Sequence, residues 1–313
     1  NDEAQELTYR TFPCAGVGSN GGKSYAKPYG AYQLFGNMYL DYAMQGEVSG
    51  YRRELNLRDA MQTVTYSQGG VKYKREIFSS YTDDVIVIRL TADKKKSLGF
   101  RLSMDRKSNI PLNELQAPVC SIEDGDLIFR GRLQSGTETD PEAAFEGMRY
   151  EGRTRVLLGK GGSVKAENGT IEVKDADDAL ILIGMKTDYF GDDYQSVLKA
   201  QVDKAAAKPW KRLYSDHAKA FGELFGRVDV DFGHDAAREN LPIDERLKAF
   251  DTDHSDPSLV SLYYQFGRYL LISSTRPGCL PPNLQGLWAN TIKTPWNGDY
   301  HLNINMQMNL WPA

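Results

Sequence analysis

The residues whose types and spacing lend themselves to chemistry gather in GDYHLNINMQMNLWPA, residues 298–313. The stretch holds one histidine, one aspartate, three asparagines, a glutamine and a tryptophan. His301, Asn303 and Asn305 are spaced i, i+2, i+4. In an extended segment all three side chains share one face, with Tyr300, Leu302, Ile304 and Met306 on the other. On a helix, Asn303 and Asn305 would diverge by about 200°. The spacing therefore predicts an extended segment, greasy on one face and lined with hydrogen-bonders on the other. A buried row of amides is costly unless protein, water or ligand satisfies it. Groups that both donate and accept suit a hydroxyl-rich ligand. An amide cannot act as a base, but its carbonyl oxygen can hold a water for a carboxylate to deprotonate. Asp299 is the only acid in the stretch.

The preceding residues extend the pattern. RPGCLPPNLQGLWANTIKTPWNGDY, residues 276–300, is rich in proline and glycine and poor in charge. Apolar, amide-rich loops line pockets or cover a core. Trp288 and Trp296 are suited to stacking on the C–H face of a sugar ring. Packing under a long loop accounts for the same composition, and the two readings stay open.

Other motifs have plain structural readings. GKGGS, 159–163, lacks a phosphate-loop pattern and predicts a hairpin turn. DTDHSD, 251–256, lacks the glycine and glutamate of a calcium loop and reads as a helix-capping linker. His217 and His234 have no partner spacing. Asn168-Gly169-Thr170 is a glycosylation sequon that a hairpin turn also explains. Cys14, Cys120 and Cys279 are odd in number and far apart, so neither a zinc site nor a disulfide framework is expected; buried free thiols are.

The elements that must position these residues fall into a clear order. The chain has 313 residues, more than one core usually serves. Residues 1–35 read as a short helical start and an irregular loop. Residues 36–190 carry about ten short runs, many alternating apolar with polar, with turn-formers such as QGG at 68–70 and ENGT at 167–170. No helical pattern interrupts them, which predicts an antiparallel β-sandwich. Residues 191–255 read as a helical linker: Trp210, Leu213, His217, Phe221 and Leu224 form one stripe, and LPIDERLKAFDTDHSD, 241–256, is a polar linker before the next helix. Residues 256–313 open with Asp256 and Pro257, a natural N-cap and first-turn pair. The helix that follows is apolar nearly all round and is expected to be buried as the first helix of something larger.

Composition excludes several classes. The net charge of −4 gives no reason to expect a nucleic-acid partner or an anionic membrane surface. No apolar run approaches the roughly 20 residues of a membrane span. The start, NDEAQELTYRTF, is polar and acidic and unlike a signal peptide.

The run RYLLISSTRPGCLPPNLQGLWAN followed by TPWNGDYHLNINMQMNLWPA resembles glycoside hydrolase family 95, the inverting α-L-fucosidases. The segments WKRLYSDHAKAFGELFGRVDVDFG and LPIDERLKAF are also similar to that family. The resemblance implies a β-sandwich, a helical linker and the beginning of a catalytic (α/α)6 barrel. It implies a glycosidase that releases L-fucose from α-1,2-linked glycans with no cofactor or metal, in a periplasm or outside the cell. Asn303 and Asn305 match two asparagines that hold the attacking water for an aspartate. His301 matches a histidine that contacts fucose, where threonine accompanies α-L-galactosidases. Asn283, Gln285, Trp288, Trp296 and Asp299 fall in the pocket-forming loops as candidate substrate contacts. The family's general-acid glutamate and activating aspartate lie beyond residue 313, and its first strands precede residue 1. The segment alone is therefore expected to be an inactive internal piece. An L-galactose-specific relative, a carbohydrate-binding module without catalysis, and a purely structural sandwich are the alternatives.

Overall fold

The computed structural model describes residues 2–11, 32–43, 46–107, 117–135, 145–292 and 294–313. Twelve strands among them form two antiparallel sheets. One has the order β1 (Asn37–Asp41), β6 (Leu98–Asp105), β11 (Thr170–Ala176), β10 (Gly161–Glu167). The other runs β2 (Val48–Asn56), β3 (Met61–Gln68), β4 (Val71–Ser79), β5 (Ile86–Ala92), β12 (Asp178–Thr187), β9 (Phe145–Leu158), β8 (Asp126–Ser135), β7 (Val119–Glu123). Helices α2 (Tyr194–Ala206), α3 (Trp210–Phe225), α4 (Ala236–Glu239), α5 (Ile243–Asp253), α6 (Pro257–Ser274) and α7 (Asn305–Asn309) follow, and α1 (Asp2–Thr11) precedes the strands. The predicted sandwich followed by helices is what is found.

Between the sheets, Leu98, Phe100, Leu102, Ile171 and Val173 pack against Leu90, Leu127, Ile181 and others. The large sheet buries its second face as well: Phe78, Val87 and Leu182 meet Leu198 and Val202 of α2 and Leu213 of α3. Ile181 faces one core and Leu182 the other, so ALILIGM is a continuous apolar run. A strand covered on both faces has no polar side to show. Arg155 ties α2 to the sheet, bonding Asp126 at 2.7 and 2.8 Å and Asp203 at 2.8 Å.

Two strands escaped the sequence reading. β7 is short and follows Pro118, and β10 is glycine-rich and polar. ENGT does form a tight hairpin, with Asn168 and Gly169 at φ 48° and 67°. GKGGS does not. It carries the chain from β9 in one sheet to β10 in the other. Gly162, at φ 79°, explains the glycines: a Cβ there would lie 2.7 Å from the Ala176 backbone.

Three further expectations change. Cys120 is half-buried and Cys279 exposed, not buried thiols, while Cys14 lies outside the described residues. Residues 243–253, read as linker, form α5. Helix α6 is not buried all round: Tyr263 is 79% exposed, and Val260 and Phe266 are also exposed. Its packing partner is α3, through one face. On that face Arg268 is buried and donates to the carbonyls of Leu224, Phe225 and Val228 at 3.2, 2.6 and 2.9 Å. The Leu224 carbonyl also accepts the Arg227 N–H at 3.3 Å, and the guanidinium adds a donor to all three oxygens at and beyond the C-terminal end of α3. DTDHSD acts as the expected cap: His254 closes α5 in the left-handed conformation, and the Asp256 carboxylate accepts the Leu259 N–H at 2.9 Å.

Candidate functional site

The loop after α6 folds on its own amides. The side-chain oxygen of Asn283, which is 3% exposed, accepts the Gln285 N–H at 2.8 Å, and its carbonyl accepts the Gly286 N–H at 2.9 Å. This is the Asx turn that asparagine favours. Asn309 of α7 also donates to the Asn283 carbonyl, at 2.8 Å, so the turn anchors the last helix. Leu284 N–H donates to the Asp299 carbonyl at 3.0 Å, joining the turn to the second half of the loop.

That second half holds the reactive types together. His301 Nε2 lies against the Asp299 carboxylate. The His301 ring stands edge-on to Trp296, with ring centres 5.6 Å apart. Trp296, Gly298 and His301 have φ of 54°, 58° and 38°. A left-handed residue other than glycine costs of order 1–3 kcal/mol, and such strain concentrates where side chains must be aimed. Here it turns the chain sharply enough to bring Trp296, Asp299 and His301 into one group.

The extended row does not form. Residues 302–304 are in turns and Asn305 begins α7. The left-handed His301 reverses the chain, and Met, Gln and Leu in NMQMNL favour helix. The greasy face is not packed either: Leu302 is 72% exposed and Ile304 is exposed, with Tyr300 and Met306 half-buried. Asn303 is exposed and Asn305 half-buried. Trp288 and Trp296 are exposed. The structure thus brings Asp299, His301 and Trp296 together and leaves the Asn303 amide open to solvent. Asn283 is drawn into the framework of the loop.

A cavity of about 550 Å³ lies behind this loop. Asn283 and Gln285 form one wall, Tyr32 and Phe35 another, and Met104 and Met185 of the sandwich a third. Among the described residues, the buried Gln285 side-chain oxygen has no hydrogen-bond partner. Sequence reasoning missed Tyr32. Its hydroxyl meets that of Tyr300 across 268 residues of sequence. Burial and then the Tyr300 contact push its phenol well above the usual range, so it stays protonated. No local pattern announces such a contact.

The predicted structural histidine is borne out in His217. Its Nδ1 accepts the Tyr81 N–H at 3.1 Å and its Nε2 bonds the Asp59 carbonyl at 2.7 Å, so the ring is a satisfied core group. Among the described residues no group of three or more His, Cys, Asp or Glu is arranged to hold a metal ion, and no helix is long and apolar enough to cross a membrane.

Comparison with known proteins divides the chain. Residues 209–313 match the glycosyl hydrolase family 95 catalytic domain, and residues 14–192 match the glycosyl hydrolase family 65 N-terminal domain. The chain is 32% identical over 309 residues to "Alpha-L-fucosidase 2" of Arabidopsis thaliana, covering 91% of this chain and 36% of that protein. It is 31% identical over 301 residues to "Probable alpha-fucosidase A" of Aspergillus niger, covering 90% and 36%. The protein of the same title from Aspergillus oryzae is 27% identical over 302 residues, covering 91% and 40%. The chain thus spans little more than a third of the length of these curated relatives.

Proposed function

This chain belongs to glycoside hydrolase family 95, with an N-terminal domain of the family 65 type, and from that premise we propose that the whole protein is an inverting α-L-fucosidase. The observation that carries the reading is the grouping of Asp299, His301 and Trp296, two residues before the exposed Asn303.

In this reading His301 contacts the fucose hydroxyls and Asp299 fixes the orientation of its ring. Trp296 and Trp288 offer apolar faces to sugar C–H groups. By the resemblance to family 95, Asn303 and Asn305 hold the attacking water through their carbonyl oxygens. The proton must go to a carboxylate, and a second, protonated carboxyl must protonate the leaving oxygen. Inverting hydrolysis sets these groups roughly 6.5–9.5 Å apart. Asp299, already against His301, is the only acid in 298–313, and the resemblance to family 95 assigns both functions to carboxyl groups beyond residue 313. The 36% share of the relatives' length leaves room for them. The substrate is an α-1,2-fucosylated glycan met in a periplasm or outside the cell, and the 313-residue chain by itself is inactive.

Proton NMR of the full-length protein with 2′-fucosyllactose tests this. Fucose appearing first as the β-anomer is the expected result. First appearance of the α-anomer excludes inversion. Binding without release favours a carbohydrate-binding module, and release from an L-galactoside alone favours the galactosidase.

A further inference from the structure

We propose that Tyr32, in the segment that leads into β1, is a positioning residue for the candidate glycan site, its hydroxyl holding Tyr300 and through it the Asp299–His301 pair. The inference rests on the reading of residues 283–305 as a sugar site and adds a residue that the sequence did not suggest.

Three contacts tie the segment 32–34 to the loop. Thr294 Oγ1 donates to the Tyr32 carbonyl at 3.3 Å. Leu34 N–H donates to the Thr291 carbonyl at 3.4 Å. The third is the hydroxyl contact between Tyr32 and Tyr300, whose rings stand edge to face with centres 5.9 Å apart. The Tyr300 hydroxyl has one hydrogen, and it points to the Pro281 carbonyl at 3.2 Å. Tyr32 is therefore the donor, and the two hydroxyls form a directed chain ending on the loop's own backbone.

Tyr300 sits between Asp299 and His301, so fixing its ring fixes the backbone on both sides. The segment 32–34 is itself anchored in the sandwich. Arg106, 5% exposed, donates from Nε to the Leu34 carbonyl at 3.1 Å and from Nη2 to the Gln33 side-chain oxygen at 2.6 Å. The sandwich thus reaches through Arg106, Gln33 and Tyr32 to the turn that carries Trp296, Asp299 and His301. The same segment lines the 550 Å³ cavity together with Asn283 and Gln285.

The test uses the full-length protein with Tyr32→Phe, Tyr300→Phe and the double variant. Each Phe keeps the ring and removes one hydroxyl. Loss of one hydrogen bond of this kind predicts a roughly five- to tenfold fall in kcat/KM for 2′-fucosyllactose, expressed mainly as a raised KM. The double variant should be no worse than either single one. Hydrogen exchange of residues 299–303 should quicken in all three, at an unchanged melting temperature. Unchanged exchange and an unchanged KM in Tyr32→Phe overturn the positioning role. Quickened exchange in a protein that releases no fucose even as wild type overturns the fucosidase reading and leaves the positioning role standing.

Discussion

The Arg276 guanidinium meets the Asp84 carboxylate across 192 residues of sequence, joining the start of the candidate loop to the turn between β4 and β5. Arg276 also donates to the Tyr81 carbonyl at 3.2 Å, and Lys186 Nζ lies 3.1 Å from Asp84. Burial pushes the Asp84 carboxyl up, but Arg276 and Lys186 outweigh it and hold it below the usual carboxylate range. Asp84 has φ 59°, a conformation asparagine tolerates well, so Asp84→Asn removes the charge without disturbing the turn. The groups are partly exposed, so a stability loss of only about 0.5–1 kcal/mol is expected. Hydrogen exchange around residues 276–280 should nonetheless quicken; unchanged exchange there would show the pair to be idle.

Asp256 and Arg246 make the opposite kind of pair. Both are buried, at 1% and 6% exposure, and bond twice, at 2.6 and 2.9 Å. Asp256→Ala strands the Arg246 charge and removes the α6 cap, and should cost roughly 3–5 kcal/mol. The Arg246 hydrogen bonds, with those from Leu259 and Ser258, hold the Asp256 carboxyl far below its usual range. A depressed carboxyl stabilises the fold fully above the unfolded pKa of about 4 and loses that contribution as pH falls further. Urea midpoints between pH 7 and 3 should drop less steeply in Asp256→Asn than in wild type.

His217 stacks on Phe78 with ring centres 4.6 Å apart and is 1% exposed. Burial pushes its pKa down, against a smaller opposing effect of the Asp59 carbonyl. The neutral ring is what the fold uses, so its contribution is full above the unfolded pKa of about 6.5 and wanes as pH falls below it. His217→Ala leaves a cavity and two unpaired backbone groups, and about 3 kcal/mol of stability should be lost. A denaturation midpoint within error of wild type would contradict this account.

Asn303 is exposed and no hydrogen bond in the described fold depends on its side chain in the way the loop depends on Asn283. If it holds the attacking water, Asn303→Ala in the full-length protein should cut kcat by roughly 10²-fold or more while leaving the melting temperature in place. Asn283→Ala should show the reverse emphasis, destabilising the loop first. Steady-state kinetics beside thermal denaturation separate the two.

Local chemistry made much of this protein legible in its sequence. Alternation of period two gave the sandwich, the Asn-Gly dipeptide gave its tight hairpin at 168–169, and Asp256-Pro257 marked the start of α6, because each is a property of neighbouring residues. The clustering of histidine, asparagine and tryptophan near the C-terminal end marked the candidate site for the same reason. Tertiary structure decided the rest. Whether His301, Asn303 and Asn305 share a face depended on a left-handed turn that loop contacts hold in place, and spacing alone assumed a straight strand. Whether GKGGS joined strands within a sheet or between sheets depended on which strands paired. That Tyr32 meets Tyr300, Asp84 meets Arg276 and Arg268 caps α3 rests on side chains tens to hundreds of residues apart. A sequence records which residues seek partners; only the closed core fixes which partners they find.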